Sequence, residues 1–405
     1  LNQPPEDIRT AEITMPSASF NSLVSRLSPP PVPSVFAWAR AYDGSRGPLI
    51  DLSQAVPGYA PHPDLLVWLG EAAASRAFAG YGPIEGETDL RKVYAADVAE
   101  IYGAPVDAQN IHITSGCNQA FMAVAMAIAG PGDKVALTEP FYFNQETTLA
   151  MMDIERVLVP LDPAKGFVPD LDAVRAALAK GIKAIALVSP NNPTGAIYPA
   201  DLLREIFEAC RQAGVWLILD ETYRDFLPEG DKPHDLLSIP GWEDNLILLY
   251  SFSKSFCIPG HRLGAVTAGP KAVAEIAKVM DNLQICAPRA PQAAIARAIP
   301  ALRDWRNDNR KEILKRADTL KGVMAKLPDW KMDSLGAYFA FIRHPFEGRP
   351  SALVAEKLAR EAGVVCIPGA YFGEAQEGYL RFAFANADSA TINALTDRLL
   401  GFRLG

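Results

Sequence analysis

Lys254 stands in the run Ser251-Phe252-Ser253-Lys254-Ser255-Phe256-Cys257-Ile258-Pro259-Gly260-His261-Arg262. The stretch just before it, Leu246-Ile247-Leu248-Leu249-Tyr250, reads as a buried strand. A lysine at a strand's end, three residues after one hydroxyl and eight before an arginine, can bind an aldehyde cofactor covalently while the hydroxyl and the arginine hold its phosphate. Taken singly, a lysine is far more often a solvated surface residue. Three further motifs change that balance.

Ser115-Gly116-Cys117-Asn118-Gln119-Ala120 follows the β-branched Ile111 to Thr114 and opens a helix. Such a turn offers free N–H groups to an anion, although an ordinary strand-to-helix turn reads the same way. In Ser189-Pro190-Asn191-Asn192-Pro193-Thr194-Gly195, two prolines and a glycine fix the backbone and aim Asn192; a tight surface turn is the plainer alternative. Asp220-Glu221-Thr222-Tyr223 closes the apolar run Val215 to Leu219. A carboxylate there is desolvated and calls for a cation, either a structural Arg or Lys or a protonated ring nitrogen.

Positioning these motifs takes a frame of strands. From about residue 51 to about 290, seven short runs read as strands: Ile111–Thr114, Lys134–Glu139, Arg156–Leu161, Ala184–Ser189, Val215–Asp220, Leu246–Ser251 and Leu263–Ala268. Helical spacing separates several of them, at Asn118–Ala129, Leu171–Ala179 and Asp201–Ala213. This predicts an α/β fold, a mostly parallel seven-stranded sheet covered by helices on both faces. The short link between the last two strands allows one of them to run antiparallel. The motifs fall at strand ends, where ligands gather in open α/β sheets.

After residue 291 the pattern changes. A long helical stretch, Pro291–Leu327, precedes short strands near Ala337–Ile342, Val364–Cys366 and Tyr379–Ala385 and then a terminal helix, which predicts a smaller α+β domain. Ser28-Pro29-Pro30-Pro31-Val32-Pro33 predicts an extended arm, either loose or packed on a partner subunit. The expected organisation is an N-terminal arm over residues 1–50 that joins the small domain, a large cofactor-binding domain over 51–290 and a small C-terminal domain over 291–405.

At 405 residues the chain exceeds one ordinary core, and its 49% hydrophobic content is that of a packed globular protein. A net charge of −8 without basic clusters argues against nucleic acid as the main partner. No apolar run is long enough to span a bilayer, and the polar, acidic stretch Leu1 to Thr10 argues against a secretory signal. The five cysteines lack CxxC spacing, as expected of reduced thiols in a cytoplasmic protein. The five histidines are equally scattered, so no metal site is expected.

Together, the Asn-Pro-Thr-Gly turn, the Asp-x-x-Tyr strand end and the Ser-x-x-Lys…Arg run occur in that order. The stretch from about Asp51 to about Asn386 thereby resembles the class I/II aminotransferases, fold-type I enzymes that use pyridoxal 5'-phosphate and include aspartate aminotransferase. The resemblance implies a homodimeric transaminase that moves an amino group between an L-amino acid and a 2-oxo acid by a ping-pong route. Lys254 would carry the cofactor as a Schiff base and shuttle the substrate's α-proton. Asp220 would pair with the pyridinium nitrogen; at ~4 Å and an effective dielectric of ~20 such a pair gains about 4 kcal/mol before desolvation. Tyr223 and Asn192 would bond the phenolic oxygen, and Tyr142 would stack on the ring. Ser251, Arg262 and secondarily Ser253 would hold the phosphate, joined by Ser115, Gly116 and Cys117 at the helix start.

The resemblance also implies that Arg381, in Tyr379-Leu380-Arg381-Phe382, clamps the substrate's α-carboxylate. Tyr81, in Tyr81-Gly82-Pro83-Ile84-Glu85-Gly86, would reach the phosphate of a neighbouring subunit. Pro140 and Pro193 fall where cis peptides occur in the family. Ala55 stands where the family usually has glycine beside the substrate carboxylate, so a methyl group narrows the pocket. Arg289 would bind a distal carboxylate or make a dimer-interface salt bridge. Tyr338 and Phe339 would line a side-chain pocket or belong to the core. A C–S β-lyase on the same fold is the alternative activity. A non-catalytic regulator domain would need a basic helix-turn-helix, and none is visible in the roughly 50 residues before the fold.

Overall fold

The computed structural model describes residues 18–228 and 232–404. The stretch Leu1 to Thr10, and with it the start of the arm assigned to residues 1–50, lies outside the described residues. The strands in chain order are β1 (Ile50–Asp51), β2 (Ile111–Thr114), β3 (Lys134–Glu139), β4 (Glu155–Pro160), β5 (Ala184–Val188), β6 (Trp216–Asp220) and β7 (Leu246–Ser251). Then come β8 (Gly264–Ala268), β9 (Lys331–Gly336), β10 (Phe339–Arg343), β11 (Val364–Val365), β12 (Ile367–Pro368) and β13 (Tyr379–Phe382).

The seven expected runs form one sheet in the order β2-β8-β7-β6-β5-β3-β4. Its pairings are parallel except that β8 runs antiparallel to both its neighbours. The central strands are apolar along their length up to the ends of β6 and β7, where Asp220 and Ser251 stand, because both faces are covered. Along β5, Ile185 and Leu187 join one apolar cluster while Ala184 and Ala186 join another. The same alternation splits Leu217 and Leu219 from Ile218, and Leu246 and Leu248 from Ile247 and Leu249. One face is covered by helices that include Thr88–Tyr102, Leu171–Leu178 and Ala200–Ala213, and the other by Cys117–Ile128, Phe143–Met151 and Pro270–Gln284.

A four-stranded sheet, β12-β13-β10-β9, carries the later residues. The two-residue β1 pairs with β11, tying the chain near residue 50 to this later part.

Three expectations need correction. The helical stretch 291–327 is two helices, Arg289–Ala301 and Arg303–Met324, parted at Leu302. Pro300 removes one N–H and crowds the preceding turn, which weakens the first helix where it ends. Strand β9 was not expected, because Lys331-Met332-Asp333-Ser334-Leu335-Gly336 has no apolar run to announce it. The proline-rich arm is not extended throughout, since a helix spans Val32–Arg40 with a proline in its first turn, where the missing N–H costs nothing.

Candidate active site

The ends of β6 and β7 meet at a cavity of about 320 Å³. β7 stops at Ser251, whose Oγ accepts a hydrogen bond from Ser253 N (3.3 Å) and caps a single helical turn, Phe252–Ser255. Phe252 and Phe256 are fully buried and pin that turn, while Lys254 lines the cavity. Lys254 Nζ donates to the carbonyl of Ala55 at 2.6 Å. Burial lowers its pKa to about 8, and the charges of Arg381 and Arg262 push the same way. A neutral, nucleophilic amine is therefore populated far below the usual lysine range.

Asp220 ends β6 and is 6% exposed. Its Oδ1 accepts from Thr222 N (3.1 Å) and Thr222 Oγ1 (2.7 Å), and its Oδ2 from Gln145 Nε2 (3.1 Å) and the Cys117 thiol (3.4 Å). Burial raises its pKa, and the bonds from Thr222 and Cys117 oppose the rise. All four donors are neutral, and Asp220 makes no ion pair among the described residues.

At the anion end, Arg262 donates to Pro259 O (2.9 Å) and Ser115 O (3.4 Å). Gly116 precedes the helix Cys117–Ile128 with φ +88°, and a Cβ there would stand 2.3 Å from Arg262 Nη2. Glycine thus keeps the guanidinium and the helix N-terminus open to the same space. Ser253 Oγ is buried with no hydrogen-bond partner among the described residues, a donor awaiting an acceptor.

Asn192 is aimed by its neighbour. Asn191 Oδ1 accepts from Thr194 N (3.1 Å) and Thr194 Oγ1 (2.8 Å), and Asn191 Nδ2 reaches Tyr198 Oη (3.0 Å). The peptides Glu139–Pro140, Ser189–Pro190 and Asn192–Pro193 are cis. Gly195 has φ +79°, and a Cβ there would lie 2.3 Å from Phe339 O and 2.5 Å from Gly336 N. The turn after β5 thus abuts the hairpin of β9 and β10. Across that contact Arg381, on β13, donates to Asn192 Oδ1 (3.0 Å) and Ser53 O (2.5 Å). Its Nε has no partner, and it makes no ion pair among the described residues. Burial lowers its pKa to about 10, so it stays charged at neutral pH and calls for an anion.

Of the residues singled out in the sequence, the cavity gathers Lys254, Asp220, Tyr223, Asn192, Cys117, Tyr142, Ser251, Ser253, Arg262, Ala55 and Arg381. Ser115 and Gly116 stand beside Arg262. Tyr338 does not line this cavity; it is buried against Tyr223 (5.3 Å) and Phe226 (4.6 Å), and its hydroxyl points to Lys254 O (3.4 Å). Arg289 does not line it either, because its guanidinium is bound to Glu87 (2.6 Å), Ala77 O (2.8 Å) and Gly80 O (3.2 Å). Tyr81, in the loop those contacts brace, is 79% exposed.

Thr222, Gln145 and Ser53 were not singled out. Thr222 lies inside the strand-end motif Asp220-Glu221-Thr222-Tyr223. Gln145 and Ser53 reach Asp220 and Arg381 across 75 and 328 positions, and nothing local marks them.

The site therefore sets a buried acid, an amine that gives up its proton near pH 8 and a buried cation without an ion pair among the described residues around one cavity, with an oxyanion cradle at one end. That set fits a phosphorylated heteroaromatic aldehyde together with a carboxylate-bearing amine.

The sequence pattern of the family described as aminotransferase class I and II matches residues 47–399. The aromatic aminotransferase ISS1 of Arabidopsis thaliana is 29% identical over 357 residues, 86% of this chain and 88% of that protein. An aspartate aminotransferase of Pyrococcus horikoshii is 27% identical, over 80% of this chain and 83% of its own length. Among solved structures, a double mutant of Thermus thermophilus aspartate aminotransferase superposes with a TM-score of 0.87 at 25% identity, covering 94% of this chain and 99% of its own.

Proposed function

The chain belongs to the class I and II aminotransferases and is an enzyme of the transaminase class, and from that premise we propose how its residues divide the work. The buried Asp220 without a cation among the described residues, and the Ser253 Oγ without a hydrogen-bond partner on the cavity that Arg262 also lines, support pyridoxal 5'-phosphate as the cofactor. Asp220 would hold the ring nitrogen, Ser251, Ser253, Arg262 and the Gly116 helix start the phosphate, and Tyr223 and Asn192 the phenolic oxygen. When bound, the cofactor supplies an electron sink for the bond broken at the substrate's α-carbon.

The observation that carries the reading is Lys254, whose amine loses its proton near pH 8, on one cavity with an acid and an arginine that make no ion pair among the described residues. Arg381 receives the substrate's α-carboxylate as a charge-assisted pair and so fixes the α-carbon relative to Nζ. Lys254 Nζ then takes the α-proton and acts as the acid that returns it. Asn192 and Ser53 hold the Arg381 fork in place before the substrate arrives. Asp220 remains ionised once a cation stands against it.

We further infer a homodimer with shared sites, which the 79% exposure of Tyr81 on a loop braced by Arg289 supports. Five free cysteines support a cytoplasmic setting; no helix among the described residues is long and apolar enough to cross a membrane. The relatives' names include both aromatic amino acids and aspartate, so kinship leaves the donor's side chain open.

Lys254→Ala tests the reading directly. Loss of the visible cofactor band and a drop in transamination of about 10²–10⁴-fold is expected. Full activity in the variant overturns the reading, and release of ammonia with no oxo-acid acceptor present marks β-elimination instead.

A further inference from the structure

Given the aminotransferase reading, on which this rests, we propose that the amino donor carries a bulky, neutral, apolar side chain of the phenylalanine or leucine kind, and that Phe36 with Val32 selects it. The first observation is a charge inventory. Among the described residues lining the cavity, the cations are Lys254, Arg262 and Arg381. Each has its task in the chemistry, Lys254 the proton transfer, Arg262 the phosphate and Arg381 the α-carboxylate, so none is left for a second carboxylate. Arg289 supplies no spare charge either: its Nε lies 2.6 Å from Glu87 Oε1, both side chains are under 20% exposed, and two backbone carbonyls take Nη1. A guanidinium already neutralised in its own chain brings little net field to a neighbouring site.

The second observation is what lines the cavity in place of charge. Val32 and Phe36 lie one helical turn apart on Val32–Arg40, both half-buried and both on the cavity wall. The helix is anchored through other residues: Val35 is fully buried, and Trp38 packs on two apolar clusters. Val32 and Phe36 are therefore free to meet a ligand. Phe143 extends the wall, 5.7 Å from Phe372, whose ring in turn lies 5.2 Å from the Arg381 guanidinium. Val32, Phe36 and Phe143 thus give the cavity an apolar wall, backed by the fully buried Phe372. An apolar side chain gains by covering it, whereas an acidic one would lose water there with no cation in return.

The test uses the purified holoenzyme in single-turnover mixing with phenylalanine, leucine, alanine, aspartate and glutamate, following the absorbance of the bound cofactor. Phenylalanine or leucine should exceed aspartate and glutamate in specificity constant by about 100-fold, the order expected where a charge must be buried unpaired. Phe36→Ala should lower the phenylalanine-to-alanine ratio by about ten-fold, and Phe36→Leu should hold it within about three-fold. Aspartate or glutamate equal to phenylalanine, or a ratio unmoved by Phe36→Ala, overturns the proposal while leaving transamination intact. No absorbance change with any donor overturns the aminotransferase reading, and this proposal with it.

Discussion

Lys254 owes its chemistry to a place where its charge is unwelcome. Burial lowers its pKa from 10.5 to about 8, so the neutral amine prevails above that pH. Capture of pyridoxal phosphate by the apoenzyme should accordingly accelerate as pH rises, with a midpoint near 8, and stopped-flow absorbance will read it. A midpoint near 10.5 would mean that the burial has no effect on the amine. The same shift acts on stability. Between these two values the unfolded apoenzyme keeps a proton that the folded one has released, so the lysine's penalty is full below 8 and fades as pH rises toward 10.5. Asp220 was legible because a carboxylate closing five apolar residues has few explanations. Gln145 was not, since it stands 75 positions away on the helix Phe143–Met151 and nothing in its own neighbourhood speaks of Asp220.

The elements that hold these residues differ in how openly the sequence declares them. Strands β5, β6 and β7 are buried on both faces, and their unbroken apolar runs follow from that burial. Strand β9 lies at an edge and half in solvent, so its composition follows no strong rule. The break at Leu302 is decided by packing as much as by Pro300, and periodicity alone runs straight through it. The turn Ser189–Gly195 is the most constrained of the local pieces. Gly195→Ala places a methyl group 2.3 Å from Phe339 O at φ +79°. A loss of ~2–4 kcal/mol in urea unfolding is expected from strain and clash together. A change below about 0.5 kcal/mol, ordinary for a surface site, would show that the turn yields easily.

At the scale of the whole molecule, the single chain holds the cavity but also presents Tyr81 to solvent. If two copies share sites, mixing Lys254→Ala with Tyr81→Ala subunits creates one site with both lesions and one with neither. Refolded mixtures should then recover a fraction of sites with the parent enzyme's cofactor affinity, measured by titration of the visible band. Recovery of none would show that each chain works alone. The reach of Tyr81 could be read in the sequence only through family resemblance, because a loop's destination in another copy leaves no trace in its own spacing. Within the chain, the bond from Arg381 to Asn192 and the contact at Gly195 join the two larger sheets through the reaction centre itself. The clamp for the substrate is thus also a seam between the two halves of the molecule. Neither half can come loose in heat without spoiling the other, so scanning calorimetry should record one melting event for both, moved upward as one when a carboxylate inhibitor closes the seam.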